Sequence, residues 1–176
     1  MRYFEQDGSS LVWRSKNETL VLTPWGENSL RVRSAMMVDV EDTRYALLDP
    51  EYAPSEIKIS DRVASISCGK LTAAVVTDDW NDYATITFRN QRGEVLLQET
   101  PSHFVQKLRA RKFEPHLGGD YTLTQTFLGQ EGEHIYGMGQ YQEDVLDWKG
   151  CALELAQRNS QASVPFFVSS RGYGFL

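Results

Sequence analysis

Tyr136-Gly137-Met138-Gly139-Gln140, followed by Val164-Pro165-Phe166-Phe167-Val168 and then Gly172-Tyr173-Gly174, is the stretch on which the reading of this chain turns. Gly137 and Gly139 let the backbone bend sharply and pass close to another element. The run 164–168 is almost continuously apolar, as suits a strand covered on both faces. Pro165 then belongs at the start of that strand or on a sheet edge, because it has no N–H to give a ladder. Gly172 and Gly174 flank Tyr173, so an aromatic ring can pack beside bends. Between the glycine pair and the apolar run lies a polar loop ending in Glu154-Leu155-Ala156-Gln157-Arg158-Asn159. Its amide and guanidinium groups form a block of hydrogen-bonding side chains.

Upstream of that stretch, β-runs follow one another. Residues 11–14 and 18–23 are joined by Ser15-Lys16-Asn17, which suits a hairpin. Residues 29–34 alternate, with Leu30 and Val32 on one face and Arg31 and Arg33 on the other, which predicts a half-buried strand. The segment 38–55 carries Pro50 and Pro54 and reads as a loop with at most a helical turn. Strands are predicted over 63–68, 71–76, 83–88, 94–99 and 121–128. Gly69-Lys70 and Gln91-Arg92-Gly93 supply tight turns. No amphipathic helix of useful length is present, so a parallel α/β architecture lacks its crossover helices. The predicted class is all-β, an antiparallel β-sandwich, in one domain over 1–176.

Composition bounds the function classes. With 18 Lys+Arg against 24 Asp+Glu the formal charge is −6, which argues against nucleic acid as a partner. The dense basic run Lys107 to Lys112 reads as a solvated loop or edge strand. Two cysteines, Cys68 and Cys151, are too few for a disulfide framework and read as buried free thiols. No leader-like or membrane-spanning apolar run is found, and a cytoplasmic location without a membrane partner is the expectation.

Catalytic signatures are missing. Gly137-Met138-Gly139 begins like a dinucleotide fingerprint, but position 142 is Gln142 and no long helix follows. His103, His116 and His134 are scattered and read as structural or surface residues, with no metal-ligand spacing and no cofactor implied. No nucleophile elbow occurs. Asp120, Asp144, Asp147 and Glu154 read as turn or surface carboxylates rather than an acid/base pair. No catalytic residue is therefore assigned in this chain.

The order of motifs from Tyr136-Gly137-Met138-Gly139-Gln140 through Lys149-Gly150, Gln157-Arg158-Asn159 and 164–174 closely resembles glycoside hydrolase family 31, the α-glucosidases, α-xylosidases and relatives. The resemblance is to the end of that family's N-terminal domain, a galactose-mutarotase-like β-sandwich (a supersandwich) preceding a (β/α)8 catalytic barrel. It implies that the barrel and the sandwich's last strands are absent from this chain, and that the fragment alone is inactive. The complete enzyme would hydrolyse terminal α-linked glucose or xylose with retention, through two barrel aspartates. Its partners would be an α-glucoside or α-xyloside substrate and its own barrel, with a homo-oligomer also considered.

The resemblance further implies that a sandwich loop walls the sugar pocket. Many members carry an Arg-Asp pair there; this chain has Arg158-Asn159, which keeps hydrogen bonding and loses the charge. Asn159, Arg158 and Gln157 are the candidate substrate-pocket residues, and the α-xylosidase branch is slightly favoured. The alternative is an independent carbohydrate-binding module using exposed rings such as Trp25, Trp80 and Trp148.

Overall fold

A computed structural model describes residues 3–50, 53–101 and 109–176. His103, with Lys107 and Leu108 of the basic run, lies outside the described residues. The chain divides into two compact units, Met1–Leu128 and Gly129–Leu176.

In the first unit, β1 (Phe4–Asp7), β2 (Ser10–Ser15), β3 (Glu18–Pro24) and β4 (Leu30–Met36) form one antiparallel sheet in that order. A second sheet runs β5 (Ser55–Ile59), β6 (Val63–Cys68), β7 (Leu71–Thr77), β8 (Ala84–Asn90) and β9 (Val95–Gln98), also antiparallel throughout. A hairpin of β10 (Arg111–Pro115) and β11 (Tyr121–Gln125) completes the unit. The period-two pattern determines what is buried. Leu20 and Leu22 of β3, Leu11 and Trp13 of β2, Ile66 of β6, Val75 of β7 and Ile86 of β8 all turn inward into one core between the two sheets. Trp13 Nε1 crosses that core to donate to Thr77 Oγ1 at 2.9 Å. The all-β, antiparallel expectation holds, and no helix occurs among the described residues.

Two expectations in this unit are corrected. On β4, Leu30 packs on the core, but Val32 is 37% exposed. Arg31 and Arg33, expected outside, are the sheltered pair, with side chains 10% and 17% exposed. Both donate to Asp42 Oδ1, and Arg33 also donates to the Glu41 carbonyl, so the 41–43 backbone covers the face that alternation assigned to solvent. The segment 38–55 is a loop among its described residues, as expected, up to its last position, where β5 begins. Of the basic run, Arg111 and Lys112 stand on β10 of the two-stranded sheet, an edge strand as one alternative expected, but Ala110 and Arg111 are buried rather than solvated, because Arg111 has two internal carboxylates to meet.

In the second unit, β12 (Ile135–Gln140), β13 (Ala162–Ser169) and β14 (Tyr173–Phe175) form an antiparallel sheet with β13 in the middle. Phe167 stacks on Phe175 and meets Tyr173 edge-on, so one face carries an aromatic cluster. The other face is open: Val164, Phe166 and Val168 are 47%, 40% and 45% exposed within this chain, where cover on both faces was expected. Pro165 is neither at the start of its strand nor on an edge strand. It is tolerated because the β12–β13 register shifts between Gly137 and Gly139, and β14 pairs only from Phe167 onward. Cys68 is buried as expected, whereas Cys151 is exposed on the loop before β13.

Candidate functional site

The candidate loop joins β12 to β13. Its entry depends on two glycines at left-handed φ, 109° at Gly137 and 111° at Gly139. A Cβ on Gly139 would stand 2.0 Å from the Ala162 carbonyl oxygen, and one on Gly137 would stand 2.8 Å from that of Phe166. Only glycine lets the two strands approach so closely at the bulge, as the sequence led us to expect.

The first half of the loop is anchored by residues whose role sequence reasoning missed. Asp147 accepts the backbone N–H of Ile135 at 2.9 Å and of Lys149 at 3.0 Å, and the His134 ring stands 2.7 Å from its other oxygen. Those hydrogen bonds, led by the imidazole, hold the Asp147 carboxyl down to about 2. Lys149 Nζ donates to Glu133 at 2.8 Å, and the same carboxylate accepts from Ser169 Oγ at 2.6 Å and Tyr173 Oη at 2.8 Å. Burial works to raise the Glu133 carboxyl, but the donors from Lys149, Ser169 and Tyr173 outweigh it and the net shift is downward. Burial and that carboxylate push the Tyr173 phenol up. Trp148 Nε1 donates to the Gly137 carbonyl, and Tyr141 meets the Trp148 ring edge-on. Lys149 was visible as part of a motif; Glu133 carries no periodic or motif signal.

The second half presents the three predicted residues, and the structure separates them. Gln157 Oε1 accepts the backbone N–H of Ser163 at 2.9 Å. Ser163 Oγ in turn donates to the Ala156 carbonyl at 2.9 Å and lies 3.1 Å from Tyr141 Oη, which also donates to the Met138 carbonyl. Arg158 is paired with Glu154 on the surface. Its carbonyl accepts the Gln161 N–H at 2.9 Å, closing a turn over Asn159 and Ser160, with Ser160 at φ 69°. Asn159 thus stands at the first corner of an exposed turn, and its side-chain amide makes no hydrogen bond to the other described residues.

Elsewhere the predicted candidates scatter. His116 is 2.6 Å from Thr122 Oγ1 in the β10–β11 hairpin. Of the three tryptophans considered as sugar platforms, only Trp80 is open, at 86% exposure. Trp25 is half-buried under the Arg31 guanidinium, and Trp148 is half-buried at the loop base.

No family model matches the chain. A family 31 glucosidase of Pseudescherichia vulneris, described as uncharacterised, is 42% identical over 97% of this chain and 35% of its own length. An α-xylosidase of Saccharolobus solfataricus is 31% identical over 61% of this chain and 16% of its own. Among solved structures, a family 31 α-xylosidase from a soil metagenome, complexed with xylose, matches with a TM-score of 0.87 at 37% identity. The match covers 97% of this chain and 27% of that one. The chain therefore spans about a third or less of the length of the relatives it resembles.

Proposed function

We propose that this chain, the counterpart of the N-terminal β-domain of glycoside hydrolase family 31 enzymes, is the non-catalytic part of a retaining α-glycosidase. In this reading it braces the (β/α)8 barrel, where the acid/base and nucleophilic carboxylates reside, and its β12–β13 loop forms one wall of the sugar pocket. Asn159 touches the sugar with a neutral amide that can both donate and accept. The observation that carries the proposal is that 97% of this chain matches a segment making up 27% of the xylose-complexed α-xylosidase. Two relatives named for xylose rather than glucose favour an α-xyloside as substrate.

The test compares this 176-residue chain with the complete protein on p-nitrophenyl α-xyloside and p-nitrophenyl α-glucoside. Turnover by the complete protein and none by the chain alone is the expected result. Turnover by the chain alone, abolished by a substitution within it, would refute the non-catalytic role.

A further inference from the structure

The loop carries two amides, Gln157 and Asn159, and on type alone either could meet a sugar hydroxyl. We infer that they divide the work, Gln157 acting as a positioning residue and Asn159 as the contact. This inference rests on the proposed sugar contact of Asn159. Gln157 spends its acceptor oxygen on the Ser163 N–H, at the second residue of β13. That bond ties the loop to the strand just beyond the Arg158–Gln161 turn, within which Asn159 stands exposed. Ser163 receives the loop from a second direction through its hydroxyl, which donates to the Ala156 carbonyl, the residue before Gln157. Two bonds from one strand residue therefore hold adjacent loop positions, while the Asn159 amide is left unengaged by the described residues. Restricting a short polar loop in this way reduces the ordering cost paid when a ligand binds at its tip.

The test is a double-substitution cycle in the complete enzyme, read as KM and kcat on p-nitrophenyl α-xyloside, with melting curves confirming that each variant folds. Asn159→Ala should raise KM by about three- to tenfold, the loss of roughly one hydrogen bond. Gln157→Ala should raise KM by about threefold while kcat is kept. Gln157→Glu retains an oxygen for the Ser163 N–H and should restore the wild-type KM. The double variant should be no worse than Asn159→Ala alone, since a residue that acts through Asn159 has nothing left to position. Independent, multiplying losses would show that Gln157 meets the sugar itself and would overturn the division of labour while leaving the pocket-wall reading intact. A silent Asn159→Ala would instead remove the sugar contact, and this inference with it.

Discussion

Arg111 Nε stands 2.9 Å from Glu18 Oε1 although 93 positions separate the two residues, and both are buried, each 5% exposed. The same guanidinium donates to Glu99 and to the Ala84 carbonyl, and Glu18 also accepts from Ser34 Oγ. One cation thus serves two buried carboxylates and links β10 to both sheets of its unit. Burial drives the Glu99 carboxyl upward even with Arg111 opposing it. Arg111→Met leaves both acids without their counter-charge and should cost about 3–5 kcal/mol in urea unfolding of this chain. A loss under about 1 kcal/mol would mean the triad does not hold the unit together.

Acid should weaken the loop anchor at Asp147. Its folded-state carboxyl lies at about 2, below the ordinary 3.8, so the protonated form is disfavoured by folding. The stabilisation is present above about pH 4 and disappears as pH falls toward 2. Melting temperatures of wild type and Asp147→Asn should therefore differ at pH 7 and converge between about pH 4 and pH 2. A gap that stays constant across that range would contradict the assignment.

Gly139→Ala asks for a methyl group where the Ala162 carbonyl already is, at a φ that alanine resists. Backbone cannot yield there without opening the β12–β13 ladder. We expect a loss of about 3 kcal/mol, from left-handed strain plus overlap. Loss of amide protection should concentrate in 135–140 and 162–169 by hydrogen exchange, leaving the first unit unchanged.

The Trp13 indole and the Thr77 hydroxyl satisfy each other inside the core. Trp13→Phe and Thr77→Val should each cost about 1–3 kcal/mol, because each leaves a buried polar partner unmatched. The double variant should cost less than the two single losses added together. Full additivity in chemical denaturation would show that the bond contributes nothing.

How far the sequence could be read differs from element to element. Strands whose inward positions repeat, such as β3 with Leu20 and Leu22, announce themselves. Strand β1 offers one deeply buried side chain, Phe4, and β5 places a single residue, Ile57, on the core; neither makes a period. At β10 the basic run could be read as a solvated loop or an edge strand, and the burial of Arg111 stays hidden until Glu18 and Glu99 are placed beside it. At the candidate loop, the residue types Gln157, Arg158 and Asn159 were legible. Their separate states were not, since those depend on Ser163 and Glu154 reaching two of them and leaving the third.

From its sequence alone this protein was determined to be antiparallel β throughout, with a glycine-pinched strand leading to a polar loop. Those features are local: the pleat alternates side chains every second residue, and only glycine tolerates the bend. Which arginine is buried, which face of β13 lies open and which loop amide remains unengaged were decided only by the tertiary structure. Each of those outcomes is a competition among hydrogen-bond and charge partners far apart along the chain, and no local pattern encodes the winner.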